Sequence, residues 1–577
     1  MLFHSNRPLL VETYTTKQVV TSPAGGTWTQ LGGTVSSGIS VVDNAALFGI
    51  GADLPADSAR YWSHGATAPG SSGNPGQYGG WNLIINFVPL GTFTGTASAY
   101  GAGWFQSGTS IADIGPFQPA STTYHNCGFA VDLLQRIGVS PALTSAAYSA
   151  DPSGAGRTVQ ANTKTTSGET PRLFEIWTGT NSNIAGASGL VTAIPSPLTA
   201  VTGTTPLSSS TLNTSIQQTF NLLNYPPMLN INTYVPLQPA QTGQAITPNF
   251  TTPLIWPGTP LQDNFSAFTA ASSYVVPTPG LYFVHSTVVL QPGAASGQFA
   301  AGINVNGTDY WGGWYNTGSL NSQTWGCAVT KILDLQQFDR VAIDVKSTVQ
   351  CTVSTTFAGS SHFIAAWLAP VVTGTQTWTN PEVTGFTFQA ATPPGTGAGQ
   401  LANLLNTKLA NDVNFLLKRP YATVKQTSAQ TGLAVNVPVS ITMNSVAGLV
   451  HGSAGDNYAG WSSGSNWYAA PVPGWYLAVE EISYVPGNAA SVVTAGFSVP
   501  TSGGLNSPTA QPDWYQALQV PAAGANPGGA TAVGVYYLNT GEHIQPCARY
   551  QSGTAATWST DTSHGFNSHF EVMWLSN

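Results

Sequence analysis

Charge is what this chain has least of. Asp, Glu, Lys and Arg make up 7% of its 577 residues, against about 25% in average proteins. Its surface must therefore be covered by Ser, Thr, Asn, Gln, Gly and aromatic groups, which suits a large assembly better than recognition of charged ligands. The net charge is −8, and the longest basic run is the pair Lys418-Arg419. Nucleic-acid binding, which needs a basic stripe to displace counterions, is excluded. Cysteine is nearly as scarce. Cys127, Cys327, Cys351 and Cys547 are scattered without a CxxC pair, which argues against a disulfide framework or zinc site and for buried free thiols. No apolar run reaches the roughly 18 residues of a membrane span. The opening Met1-Leu2-Phe3-His4-Ser5-Asn6-Arg7 lacks the apolar core of a signal peptide. Synthesis in a cytoplasm, with exit by another route, is the expectation.

What the chain has in abundance is glycine (63), proline (40) and aromatic residues (17 Trp, 21 Tyr, 23 Phe). Glycine and proline spread along the whole length favour short strands and tight turns. The aromatic content is too high for a disordered chain. The chain also repeats itself. Ser360-Ser361-His362-Phe363-Ile364-Ala365-Ala366-Trp367-Leu368 returns as Asn567-Ser568-His569-Phe570-Glu571-Val572-Met573-Trp574-Leu575. Asp263-Asn264-Phe265 returns as Asp456-Asn457-Tyr458, and Pro279-Gly280-Leu281-Tyr282-Phe283 as Pro473-Gly474-Trp475-Tyr476-Leu477. The spacing is far beyond the roughly 20–50 residues of solenoid repeats, so whole domains are duplicated.

The division predicted is a β-rich unit over 1–183, a linker over 184–210, a helix plus β-domain over 211–371, a linker over 372–398, and a helix plus β-domain over 399–577. Looser echoes place a divergent copy in the first unit, with Leu173-Phe174-Glu175-Ile176-Trp177 as its closing strand. Leu212, Ile216, Phe220 and Leu223, and likewise Leu405, Leu409, Val413 and Leu416, are spaced as one apolar helix face. Helices this short are marginal alone, and association of three chains around an axis would bury them. Many short strands of apolar alternation, bounded by turns, predict an all-β protein of tandem jelly-roll or β-sandwich domains joined by short helices and flexible linkers.

Catalytic patterns are weak. Ser361-His362 and Ser568-His569 are neighbours on a strand and point to opposite faces, so a role in the fold is expected. Glu480-Glu481 splits across two faces in the same way, whereas glycoside hydrolysis needs carboxylates facing each other over a groove. Asp263-Asn264 and Asp456-Asn457 read as Asx turns. No metal or cofactor motif stands out, and no enzyme activity is expected. Uncharged aromatics in Gly/Ser/Pro-rich loops can stack on sugars; the candidates are Trp467, Trp514, Tyr515 and Trp558, with Trp311 and Trp314 from the second unit.

The Pro279-Gly280-x-Tyr282 strand, the Gly302-Ile303-Asn304-Val305-Asn306-Gly307 segment, and the closing Phe363 and Trp367 resemble tumour-necrosis-factor-like and complement-globular-head-like jelly rolls. Pro473, Gly474, Tyr476, Phe570 and Trp574 match in the third unit, which lacks the Asn-Val-Asn-Gly turn. That resemblance implies a homotrimer. The chain as a whole resembles a minor tail or tail-fibre protein of a long-tailed actinobacteriophage. This implies a structural component of the virion tail, at the tip, baseplate or fibre, with other tail proteins and host cell-envelope glycan as partners. A free carbohydrate-binding protein and an envelope-polysaccharide-degrading enzyme are the alternatives.

Overall fold

The computed structural model describes strands between residues 9 and 180 by their backbone. It gives side-chain detail over most of 226–372 and 415–576, with Asp513–Gln519 again as backbone. The helical spans assigned to Leu212, Ile216, Phe220, Leu223, Leu405, Leu409, Val413 and Leu416 lie outside the described residues, as does Trp314.

The described chain is all antiparallel sheet, and one strand order recurs. In the second unit the first sheet runs Ala245–Ile246, Cys351–Val353, Gly280–Pro292, His362–Ala369, Met228–Asn232, Gln262–Asp263, with Trp325–Leu335 also on Gly280–Pro292. In the third it runs Leu433–Ala434, Thr557–Thr560, Gly474–Val485, His569–Ser576, Tyr421–Lys425, Ser445–Val446, with Gly528–Leu538 on Gly474–Val485. The first unit repeats it as Gln18–Thr21, Thr158–Ala161, Gln77–Pro89, Arg172–Thr180, Leu9–Thr15, Gly33–Val35, with His125–Phe129 on Gln77–Pro89. A second sheet covers each, built in the second unit around Arg340–Ser347 and Gln298–Val305 and in the third around His543–Ser552 and Ser491–Ser498. Sequential strands crossing between two antiparallel sheets are the jelly-roll arrangement.

The registers agree as closely as the order. Leu9 pairs with Ile176, Met228 with Ala366, and Tyr421 with Met573. In all three units the ladder slips just after the closing Trp, past Thr178, Leu368 or Leu575. A bulge repeated at one place is a feature of the design.

The repeated motif residues hold this geometry. The Tyr282 hydroxyl donates to the Thr278 carbonyl at 2.6 Å and Tyr476 to Val472 at 2.7 Å. Trp367 Nε1 donates to the Pro279 carbonyl at 3.1 Å, and Trp574 Nε1 to Pro473 at 3.2 Å. Ser361 Oγ accepts from the Val289 amide and Ser568 Oγ from the Ser483 amide. The recurring Ser-His serines thus tie strand to strand. Asp263 accepts from the Ala267 and Phe268 amides, and Asp456 from Tyr458 and Trp461. Asp456 makes the expected Asx turn, bonding two residues on, whereas Asp263 departs from it and reaches four and five residues ahead. Cys327, Cys351 and Cys547 are free and buried.

The apolar alternation expected of the main strands is where the structure differs. Tyr282, Val284 and Val288, with Phe363, Ala365 and Trp367, face the sandwich core. Their neighbours Leu281, Phe283, Ile364, Ala366 and Leu368 are equally buried on the other side of the same sheet. Gly474–Val485 is buried at every residue but its last. An antiparallel sheet with one wet face would alternate; here both faces are dry.

Gly280 and Gly474 lie at φ 157° and 145°, and a Cβ on Gly280 would collide with the Trp367 indole and the Ala369 carbonyl. Replacing Gly474 or Gly280 by Ala is expected to destabilise its unit by about 1–3 kcal/mol or more, measured as a lower denaturation midpoint at unchanged slope.

Candidate functional site

The face of the second unit's inner sheet packs on the same face of the third. Met228, Leu281, Phe283, Ile332, Ile364 and Leu368 meet Tyr421, Trp475, Leu477, Val479, Met573 and Leu575 in one buried cluster. Polar groups stitch its border. Lys331 Nζ lies 2.6 Å from Glu481 Oε2, with both side chains almost wholly buried. Glu571 and His569 share that face, His569 Nε2 standing 3.6 Å from Glu571 and 4.0 Å from Glu481. At the rim, the Asp334 carboxylate of the second unit is wrapped by a turn of the third. It accepts from the amides of Val450 (2.8 Å), His451 (3.2 Å), Ser453 (3.2 Å) and Ala454 (3.4 Å), and from Ser453 Oγ. Gly448 permits the approach, because a Cβ there would run into that carboxylate. Asp339 meets His451 at 2.6 Å. The Tyr421 hydroxyl donates to the Val372 carbonyl and accepts from its amide, docking the chain as it leaves the second unit.

The Glu480-Glu481 pair divides as its spacing demands. Glu480 turns into the third unit's core, where it accepts from the Gly496 amide at 3.2 Å, while Glu481 turns to Lys331. Burial raises both carboxyls; backbone amides partly offset this at Glu480, and Lys331 at Glu481. Burial also raises Glu571 well above its usual range, with Lys331 opposing and Glu481 adding to the shift.

A second cluster lies on the outer sheet of the second unit. Gly302 is flanked in register by Trp311 on one side and Asp344 on the other. Partners across a ladder share a face, and the Trp311 ring lies so close over Gly302 that a Cβ would sit 2.8 Å from it. Two residues along, Asn304 Nδ2 donates to Asp309 (2.6 Å) and to Asp344 (2.9 Å). Burial and the neighbouring Asp309 push Asp344 up to about 7. The Asn306-Gly307 turn that brings these strands together has positive φ at both residues, 52° and 91°, as a type I′ hairpin requires. The result is a half-buried indole beside an acid–amide cluster, a surface suited to an uncharged, hydroxyl-rich ligand.

The other aromatic candidates do not gather there. Trp467 is half-buried and stacked on His543 at 4.4 Å. Trp514 and Tyr515 lie on Asp513–Gln519, at the opposite edge of that sheet from the Trp461–Ser462 and Trp467–Ala469 strands. Trp558 is a correction: it is 2% exposed, stacks on Tyr550 at 5.7 Å and donates to the Ala434 carbonyl. Its strand alternates, and Trp558 takes an inward position, so it is core. Register also shows what sequence comparison missed. Trp514 pairs with Gly496 as Trp311 pairs with Gly302, so the indole-bearing position is itself repeated. Tyr515 is the residue skipped at a bulge beside it.

No family model matches the chain, and no curated protein sequence matches it. Among solved structures, murine APRIL (12% identity, TM-score 0.19) aligns over 24% of this chain and 98% of its own. The globular domain of zebrafish complement 1qA (11%, 0.18) aligns over 25% and 98%, and Eiger TNF from S. frugiperda (11%, 0.21) over 28% and 94%. Each spans about a quarter of this chain; the fold itself rests on the strand order above.

Lys331→Met is expected to cost about 3–5 kcal/mol of stability, read by denaturant unfolding, because it strands buried carboxylates. The double variant Lys331→Met/Glu481→Leu should recover much of that loss. The raised carboxyls set the sign of the pH response. Stability from their neutral forms is complete below the ordinary glutamate range and is lost as pH climbs through the raised values. Tm is expected to fall as pH rises above the ordinary glutamate range, and Glu571→Gln to flatten that fall.

Proposed function

We propose that this chain is a non-enzymatic structural protein of a phage virion, a minor tail protein at the tip, baseplate or fibre, with an outer surface that contacts host cell-envelope glycan. The observation carrying this reading is the junction: jelly rolls in series are welded to one another through dry sheet faces, an arrangement that builds a body. The low charge and the resemblance of the whole chain to actinobacteriophage tail proteins support it. Catalysis is not part of the reading, because Glu480 and Glu481 are both buried and on opposite faces. The threefold association expected from sequence belongs, in this reading, to the units of one chain. Free carbohydrate binding is the second reading, favoured by the Trp311 surface.

Antibody to the chain, gold-labelled on intact particles, is expected to mark the tail; labelling confined to unassembled protein would favour the free-lectin reading. In either case Trp311→Ala should weaken binding to host envelope glycan by roughly tenfold, equivalent to about 1.4 kcal/mol, with Trp558→Ala lowering stability instead.

A further inference from the structure

We propose that the three jelly rolls of one chain close into a ring around a shared axis, so that a single polypeptide forms the trimer that separate chains would otherwise supply. This stands independently of the virion reading and rests on three observations.

The first is that two of the three contacts between units are head-to-tail and use equivalent strands. Thr109–Phe117 of the first unit, an edge strand of its second sheet, lies against Trp325–Leu335 of the second unit. Asp513–Gln519 occupies the corresponding edge of the third unit, beside Ser491–Ser498. It lies against His125–Phe129 of the first unit. His125–Phe129 holds the place on Gln77–Pro89 that Trp325–Leu335 holds on Gly280–Pro292. One type of contact thus runs from first unit to second and from third unit to first. A repeated head-to-tail contact either closes or grows into a filament.

The second observation is that the remaining pair of units also meets. Trp325–Leu335 also approaches both Gly474–Val485 and Gly528–Leu538 of the third unit, and Tyr315–Asn316 approaches Asp513–Gln519. Every unit touches both others.

The third is electrostatic. Glu481 and Glu571 are on the buried face of the third unit, at register positions that hold Thr287 and Ile364 in the second. Association of the third unit with its own copies would bring Glu481 and Glu571 from every copy into one dry axis without the Lys331 that the second unit supplies. Uncompensated buried charge of that kind is strongly unfavourable. Inside one chain the second unit presents Lys331 to Glu481 instead. The units have diverged so that each fits a different neighbour, which is the signature of an interface specified within the chain.

Native mass spectrometry of the full chain should therefore show the mass of one copy, 59.9 kDa; a species of three copies would overturn the proposal. Two differently tagged full chains expressed together should not co-purify, and co-purification would count against it equally. A protease site inserted in the 184–210 linker supplies the remaining arm. After cleavage the N-terminal fragment should stay bound to the remainder at one to one, and its release would show that no ring exists.

Discussion

A sheet that is apolar on both sides needs two partners, and the rest of this structure follows from that need. The jelly roll satisfies one face by folding its second sheet over it. The other face of Gly280–Pro292 and His362–Ala369 is just as apolar and fully buried. Burying a single side chain such as Leu or Phe is worth roughly 1.5–3 kcal/mol, so exposing such a face would be costly for a domain of ordinary stability. The neighbouring copy in the chain supplies the cover. Duplication explains why it fits: the two faces descend from one face, and side chains have since diverged to interlock.

Charge decides how they interlock. The chain has few ionisable groups, yet Lys331, Asp334, Asp339, His451, Glu481, His569 and Glu571 concentrate at the junction. A buried pair contributes little net stability but penalises the wrong partner heavily. Asp334 in its amide-lined turn orients the units, and Lys331 selects the third unit over another second unit. The apolar cluster provides adhesion and the polar border provides register.

Much of this was legible in the residues. The duplicated Pro-Gly-x-Tyr and Ser-His-Phe segments mark equivalent strands, and the structure assigns Tyr282, Trp367 and Ser361 the same bonds as Tyr476, Trp574 and Ser568. The Asx turn at Asp456 and the splitting of Glu480 from Glu481 followed from spacing alone. The second dry face did not, although Phe363-Ile364-Ala365-Ala366-Trp367-Leu368 is an unbroken apolar run, and such a run signals burial on both sides. Trp558 was misread because its loop-like composition conceals a short alternating strand. The Asp309–Asn304–Asp344 cluster joins three strands, and no local pattern announces a contact of that range. Trp514 hid its kinship with Trp311 because the intervening segments differ in length, and only register aligns them.

Methionine oxidation tests the covered face most directly, because the chain supplies its own control. Met443 lies in a sandwich core, while Met228 and Met573 lie between units, all three fully buried. Under brief peroxide treatment of the native chain, Met228 and Met573 should resist oxidation as well as Met443 does, and all three should react after denaturation. Oxidation of Met228 and Met573 at the rate of the denatured chain, with Met443 still protected, would show that the inner sheets face water and that the units do not pack.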